Sequence, residues 1–489
     1  MVQAMIQKRS AGEYIMGIID HIQDFKGARI TVMGLGLHGG GIASAKFFVS
    51  VGAEVMVTDL RDRATLEPAI RQLEGLPLRY TLGAHHERDF SDADIVIKNP
   101  AVRVDSPYLK LARRIETDIS IFLHYSRSPL IAVTGSKGKS SVASAIWYTL
   151  NGSGKKALLG GNITVSPLDF LDATAPDVPV VLELSSWQLG DLRGRALLKP
   201  EVAVLTAIYP DHLNYYGTME AYVADKRVIY ERQDASTWTV CCADQDWGRS
   251  FASETRGKVL WYSERDLTAS VGPEARGGWL EPESPGEAPS GYGRFDASGA
   301  RELLVPANVT VRGLHQKKNL LAAAIALRAF GIPPKEISEK LKSFPGVPHR
   351  LERVAELGGV TWFNDSAATI PDAAIAAIHS FAAPIVLIAG GSDKLSDFSA
   401  FAATCKELKA LILLAGSGTD RLRPFLDAQT VAYQGPFSSI KDAVKAAART
   451  AALGDVVLLS PGCASFGMFL HEFERGDAFK REVRELSEL

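Results

Sequence analysis

The sequence predicts an α/β protein built mainly on parallel sheets and divided into two to four domains. Three observations carry that expectation. Twice, a short apolar run leads through a glycine-rich turn into residues at helical spacing: Arg29-Ile30-Thr31-Val32-Met33 precedes Gly34-Leu35-Gly36-Leu37-His38-Gly39-Gly40-Gly41, and the run at 130–133 precedes Thr134-Gly135-Ser136-Lys137-Gly138-Lys139-Ser140-Ser141. Further buried-strand runs alternate with helical stretches along the chain. Finally, 489 residues exceed what one ordinary core encloses.

Composition narrows the class. A hydrophobic fraction of 46% with 22% charged residues is that of a globular enzyme. The 54 basic and 56 acidic residues nearly cancel, so neither nucleic acid nor an anionic membrane is expected as a bulk partner. Cys241, Cys242, Cys405 and Cys463 form no Cys-x-x-Cys pair and read as reduced thiols of a cytosolic protein. Residues 1–14 lack the apolar core of a signal peptide, and no uninterrupted apolar run approaches a membrane span. A cytoplasmic location without a membrane partner is expected.

In the first segment, the glycine turn is followed by a second strand, Glu54-Val55-Met56-Val57-Thr58, that ends at Asp59. Gly-x-Gly-x-x-Gly with an acidic residue about 20 residues on suits a diphosphate joined to a ribose in a Rossmann-like domain. Its first reading is a nicotinamide or flavin dehydrogenase, although the loop itself reports only a diphosphate near a helix N-terminus. Strands at 94–98 and 114–116 complete a small parallel sheet, and the polar break Ser126-Arg127-Ser128-Pro129 closes the domain near residue 127.

The second glycine turn reads as a phosphate-binding loop. Its glycines let backbone N–H groups crowd an anion, Lys139 adds a full charge, and the Ser140 hydroxyl is a Mg²⁺ ligand candidate. The spacing Gly-x-x-Gly-Lys-Ser is two residues shorter than the usual loop. Downstream, Val178-Pro179-Val180-Val181-Leu182 is a buried strand ending in Glu183, where an α/β nucleotide site places a metal-binding carboxylate. Leu184-Ser185-Ser186-Trp187-Gln188-Leu189 follows at once. The strand Val202-Ala203-Val204-Leu205-Thr206 leads to Pro210-Asp211-His212-Leu213-Asn214, whose His212 is a ligand candidate, and a helix over 219–231 carries Lys226.

In order and spacing, Thr134-Gly135-x-x-Gly138-Lys139-Ser140, Glu183-Leu184-Ser185-Ser186-Trp187-Gln188-Leu189, Asp211-His212-Leu213-Asn214 and Lys226 resemble the Mur ligases of peptidoglycan synthesis. The resemblance runs on through Gly313-Leu314-His315-Gln316-Lys317-Lys318-Asn319, although Gln316 stands where many members carry asparagine. It continues in Pro348-His349-Arg350-Leu351-Glu352, Asn364-Asp365-Ser366, Gly390-Gly391-Ser392-Asp393-Lys394 and Ser460-Pro461-Gly462-Cys463-Ala464-Ser465. It implies three α/β domains: a Rossmann-like UDP-sugar domain (1–127), a P-loop ATPase-type domain with a mostly parallel sheet (128–347), and a Rossmann-like amino-acid domain (348–489). A hinge near 345–349 is implied as well. The implied chemistry is ATP-dependent, uses two Mg²⁺ ions, and joins D-glutamate to UDP-N-acetylmuramoyl-L-alanine through an acyl phosphate in a cytoplasmic monomer.

Residue by residue, the resemblance assigns ATP to Gly135, Ser136, Lys137, Gly138, Lys139, Ser140, Ser141, Asn319, Arg350 and Asp365. It assigns the UDP-linked substrate to Gly36, Leu37, His38, Asp59, Arg61, Asn162 and Gln188, and the amino acid to Thr369, Lys394, Ser465 and Phe473. Lys139, Glu183, His212 and Lys226 are the implied catalytic set, with metal on Ser140, Glu183, His212 and Lys226. An ammonium cannot ligate Mg²⁺, and the family's solution, carbamylation by CO₂, is expected at Lys226.

Two departures touch the amino-acid side. Ala367 stands where the family commonly has lysine, and the aromatic within 466–476 is Phe473 or its neighbour. These leave L-glutamate or another amino acid open as the co-substrate. Folylpolyglutamate synthase shares the short loop but lacks the Gly34-to-Gly41 domain, and the Asp-Asn-Pro-Arg block of the diaminopimelate- or lysine-adding ligase is absent here. A dehydrogenase would leave Lys139, Glu183 and His212 idle, and a UDP-sugar-binding regulator would not need the phosphate and metal residues. Residues 263–300, rich in Gly, Pro, Ser and charge, are expected to be a mobile surface insertion.

Overall fold

The computed structural model describes residues 24–486, apart from 38, 164, 285, 297, 298, 394, 395 and 470. Its strands form three sheets. The first comprises β1 (Arg29–Met33), β2 (Glu54–Asp59), β3 (Leu78–Leu82), β4 (Ile95–Lys98) and β5 (Ile115–Glu116), all parallel, in the order β3-β2-β1-β4-β5. Parallel strands covered on both faces read as continuous apolar runs, and Ile30, Val32, Val55 and Val57 are each at most 1% exposed. The helix Gly40–Ser50 starts hard against the turn after β1. A Cβ on Gly41 would strike the carbonyl oxygens of Leu35 and Gly34, so only glycine lets that helix begin there.

The second sheet has nine strands. They are β6 (Leu130–Thr134), β7 (Leu158–Gly161), β8 (Val180–Glu183), β9 (Val202–Leu205), β10 (Trp238–Cys242), β11 (Lys258–Ser263), β12 (Gly277–Glu281), β13 (Ser290–Arg294) and β14 (Glu302–Val305), ordered β14-β13-β12-β11-β10-β9-β6-β8-β7. Pairing is parallel from β7 to β12 and antiparallel from β12 to β14. β6 lies between β8 and β9, so its glycine turn emerges flanked by Glu183 and Thr206.

The stretch 263–300 is therefore not the surface insertion that its composition suggests. It supplies most of the sheet's antiparallel extension, with β12 and β13 laid against the alanine-rich helix Leu314–Ala329. The glycines serve that close approach: a Cβ on Gly278 would lie 3.0 Å from Leu321 Cδ1, and one on Gly291 3.1 Å from the same atom. A second correction is smaller. The helix expected over 219–231 is α-helical for Met219–Lys226 and then tightens into a 3₁₀ turn, Arg227–Tyr230.

The third sheet comprises β15 (Glu352–Leu357), β16 (Val360–Asn364), β17 (Ile385–Gly390), β18 (Ala410–Leu414), β19 (Gln434–Phe437) and β20 (Val456–Leu459), in the order β15-β16-β20-β17-β18-β19. Only the β15–β16 pair is antiparallel. All four cysteines are buried and free. Among the described residues, no helix is long and apolar enough to cross a membrane.

The chain forms two compact units. One is built from the chain up to Val309 with Leu314–Phe344, and the other from Thr310–Gly313 with the chain from Pro345 on. The first two sheets share a unit because one hydrophobic core runs through both, and polar groups join them as well. Lys98 at the end of β4 forms a buried ion pair with Asp191 at 2.8 Å, Arg195 donates to Glu116 Oε2 at 2.6 Å, and Ser166 Oγ donates to Asp118 Oδ2 at 2.8 Å.

Candidate active site

The phosphate-type loop after β6 is shaped by contacts that exclude side chains. Gly135, at φ 146°, has no room for a Cβ beside Thr206 Oγ1, and Gly138, at φ 94°, has none beside Asn319 Oδ1. The second contact brings Asn319 to the loop. Ser136 N and Lys137 N donate to Ala207 O at 2.8 and 3.2 Å, while Ser136 Oγ hydrogen-bonds Tyr209 O at 2.9 Å and Tyr222 Oη at 3.0 Å. Those groups hold the loop in place. The anion-binding donors left are the first-turn amides of the helix Lys139–Gly152, including those of Ser140 and Ser141, which have no intrahelical acceptor. Lys139 Nζ donates to Gly135 O and Ser136 O, both at 3.0 Å, so its charge lies over the same loop.

Glu183 ends β8 and is 1% exposed. Asn162 Nδ2 donates to its Oε1 at 2.9 Å, whereas its Oε2 is buried without a hydrogen-bond partner among the described residues. A buried carboxylate oxygen left bare is unfavourable unless a cation or donor meets it. A hard divalent cation shared with the Ser140 hydroxyl suits this donor set, so these residues fit a Mg²⁺ ion. Among the described residues, no group of three or more His, Cys, Asp or Glu side chains is placed to hold a metal unaided.

Lys226, the last residue of its helix, is 1% exposed. Its Nζ donates to Gly135 O at 2.9 Å, the same carbonyl that Lys139 uses, and lies 4.4 Å from the Tyr222 ring centre. Burial, and then the Lys139 charge, push its pKa well below that of an ordinary lysine, against the pull of Asp211, Asp225 and Glu183. The amine is thereby biased toward its neutral, nucleophilic form. His212 is more open. It adopts φ 53° at the start of the helix Leu213–Tyr216, its ring centre is 4.9 Å from Trp187, and its side chain is 44% exposed.

Above the first sheet, Gly36, Leu37, Asp59 and Arg61 meet around a cavity of about 270 Å³ that also touches Gly34, Gly40, His85 and Asn99. Asp59 is clamped by Arg61, whose guanidinium donates to both its oxygens at 3.1 and 2.8 Å. Hydrogen bonds from Arg61 and Gly36 outweigh burial and hold the Asp59 pKa below the usual carboxylate value. His38 lies outside the described residues. Asn162 and Gln188 do not line this cavity. Gln188 instead completes a capping box: its Oε1 accepts from Ser185 N at 3.0 Å while its own N donates to Ser185 Oγ at 3.2 Å. The Ser185-x-x-Gln188 spacing carries that signal in the sequence.

In the second unit, Asp365 is buried at the end of β16, with Ser460 Oγ donating to it at 2.7 Å and Leu351 N at 3.1 Å. Burial pushes its pKa up to about 7. Arg350, beside the left-handed His349 and Leu351, is exposed. The two glycine-containing loops are joined by reciprocal hydrogen bonds between Ser392 and Ala464, at 2.8 and 3.0 Å. Next to them, Ser465 is 3% exposed and its Oγ has no hydrogen-bond partner among the described residues. Thr369 is half-buried, and the Phe473 ring packs on His349 at 5.4 Å. Lys394 lies outside the described residues.

Arg475 is a residue that sequence reasoning missed. It is 1% exposed, and its guanidinium donates to Ser366 Oγ, Ser366 O and Cys463 O at 2.9, 2.9 and 3.1 Å, tying the segment with Ala367 to the Cys463 loop. Its signal was Arg475-Gly476 inside a helix. Gly476 has no room for a side chain beside His349 and Asn364, so this face of the helix lies tight against β16 and the segment before β15.

Comparison with known proteins agrees with this geometry. The family model for the Mur ligase MurD-like N-terminal domain matches residues 28–121, the Mur ligase middle domain 133–327, and the Mur ligase glutamate ligase domain 349–463. The UDP-N-acetylmuramoylalanine–D-glutamate ligase of Treponema pallidum is 40% identical over 94% of this chain and 98% of its own length. That of a Roseiflexus species is 41% identical over the same shares. Among solved structures, the UDP-N-acetylmuramate–alanine ligase of Thermotoga maritima superposes with a TM-score of 0.61 over 94% of this chain and 99% of its own, at 19% identity, a likeness of fold. With three consecutive domain models matched and relatives this similar over nearly its whole length, the chain belongs to the Mur ligase family.

Proposed function

We propose that this protein joins D-glutamate to the alanyl carboxylate of UDP-N-acetylmuramoyl-L-alanine, cleaving ATP to ADP and phosphate, in the synthesis of peptidoglycan precursors. The observation that carries the chemistry is the meeting of Lys139, Lys226 and the bare Glu183 oxygen around one glycine loop. The choice of substrates rests on the relatives named above.

A carboxylate does not condense with an amine at neutral pH until one of its oxygens becomes part of a leaving group. Its attack on the γ-phosphate forms an acyl phosphate and releases ADP. The amine of glutamate then attacks the acyl carbon, phosphate departs, the amide forms, and the amine loses a proton. The first step brings two anions together, so cations and oriented donors must offset their repulsion. Lys139 and the first-turn amides of its helix, including those of Ser140 and Ser141, hold the β- and γ-phosphates in this reading, and Gly135, Ser136, Lys137 and Gly138 shape the loop that seats them. Lys226, kept neutral, adds to CO₂ and loses a proton to become an anionic carbamate. Two Mg²⁺ ions, one on Ser140 and Glu183 and one on His212 and that carbamate, supply further charge neutralisation when bound.

Asn319, and in the second unit Arg350 and Asp365, are assigned to the nucleotide. Gly36, Leu37, His38, Arg61 and, through its clamp on Arg61, Asp59 take the uridine diphosphate, with Asn162 and Gln188 toward the sugar. Thr369, Lys394, Ser465 and Phe473 take the amino acid. On this division the labour falls to residues 1–127, 128–347 and 348–489 in turn, in a monomer working in the cytoplasm.

The test is phosphate release by the purified protein with Mg²⁺, ATP and UDP-N-acetylmuramoyl-L-alanine, adding D-glutamate, L-glutamate, lysine or diaminopimelate separately. Release with D-glutamate alone is expected. Because Ala367 removes a family lysine, turnover only with another amino acid would keep the chemistry and replace the substrate. No turnover with any of them would sink the proposal.

A further inference from the structure

The order β3-β2-β1-β4-β5 fixes the direction in which a nucleotide crosses the first sheet. The diphosphate belongs at the glycine turn after β1, and the nucleoside then extends over β2 toward β3. Asp59, which ends β2, is the expected polar group for that half of the ligand. Its oxygens, however, already accept from Gly36 N at 3.2 Å, Arg61 N at 3.0 Å, Arg61 Nε at 3.1 Å and Arg61 Nη2 at 2.8 Å. A carboxylate offers about four lone-pair sites, so Asp59 is saturated by its own turn and by Arg61.

The next polar side chain lining the cavity is His85, just beyond the end of β3. Its ring is fixed edge-on by Phe90 and Tyr108, with centroids at 5.5 and 5.1 Å. Thr58 Oγ1 lies 2.7 Å from Nδ1 and 3.4 Å from Ala84 O, so Nδ1 is already engaged and Nε2 is the ring nitrogen left for a ligand. Burial lowers the imidazole pKa despite Asp59 and Asp89, which keeps the ring neutral. Among the described residues, Nε2 makes no hydrogen bond. A rigid, oriented polar nitrogen thus lines the cavity at the base end, where the acidic residue has no capacity left.

We propose that His85 is a specificity residue for the nucleobase, its Nε2 hydrogen-bonding to the polar edge of the uracil ring. The proposal rests on the reading that this cavity takes a uridine diphosphate.

Two substitutions separate the roles of the ring nitrogens. His85→Asn keeps an amide where Nδ1 meets Thr58 and deletes the group at Nε2, whereas His85→Gln restores a polar amide near Nε2. Calorimetric titration of the full chain with UDP is expected to show about tenfold weaker binding for the Asn variant and near-recovery for the Gln variant. The KM for the UDP-linked substrate should rise with the Asn variant while that for ATP stays unchanged. Equal UDP affinity in wild type and His85→Asn would overturn the proposal. Equal losses in both variants would overturn it too, and mark His85 as a packing residue. If the wild-type protein does not bind UDP, the reading of the cavity fails first, before any variant is compared.

Discussion

Glu183 could be singled out from the residues, as a carboxylate ending an apolar strand beside a phosphate-type loop, and Lys226 only through a family resemblance; the structure buries both, with Lys226 bonded to that loop. What the sequence did not disclose is how individual polar groups are spent. Asp59 is consumed by Arg61, and Ser136 by the loop after β9. Those assignments depend on partners distant in the chain or on rotamers that no spacing encodes. Asp365 carries a measurable consequence of the same kind. Its carboxyl, buried with a pKa of about 7 against an unfolded value of about 3.9, binds a proton more tightly in the folded protein. A raised folded pKa contributes stability that is complete below about pH 4 and is lost as pH climbs through 7. The three-unit difference sets an upper bound of about 4 kcal/mol on the cost of the buried charge above pH 7. Asp365→Asn is therefore expected to melt higher than wild type at pH 8, with the advantage shrinking toward pH 5. A pH-independent offset between the two melting curves would contradict this.

Among the elements, strand-turn-helix units with apolar runs were readable at both glycine loops, since a parallel strand buried on both faces has one appearance. Residues 263–300 were misread because glycine has two uses. In a loop it supplies conformational freedom, and in β12 and β13 it supplies space for the helix Leu314–Ala329. The second use predicts a penalty the first does not. A Cβ on Gly278 would sit 2.6 Å from Tyr292 O and 3.0 Å from Leu321 Cδ1, so the extension must shift to admit it. Gly278→Ala is expected to destabilise the protein by about 1–3 kcal/mol, the range for overpacking. Because the same helix holds Asn319 against Gly138, the variant should also bind ATP more weakly. Thermal unfolding and ATP titration read the two effects. An unchanged melting temperature would return 263–300 to the status of a loop.

For the whole molecule, motif order conveyed the sequence of sheets but not the composition of the compact units. The chain passes between the units three times, because Thr310–Gly313 belongs with the chain from Pro345 on. No local pattern announces this, since those four residues look like a lead-in to the helix Leu314–Ala329. Their attachment has a visible cause: the Arg312 guanidinium lies 5.7 and 5.9 Å from the ring centres of Phe363 and Phe381, and Gly346 approaches Val311 so closely that a Cβ there would be 3.3 Å away. Exposed cation–π contacts of this kind are worth about 0.5–1 kcal/mol each. A chain with two compact units need not unfold in one step, so calorimetry should resolve separate transitions. Arg312→Ala is expected to lower the transition of the C-terminal unit by a few degrees and leave the other in place. The excised fragment 345–489, which lacks the 310–313 segment altogether, should melt lower still. If instead both transitions move together in Arg312→Ala, the segment is a shared strut between the units and not a part of the second one.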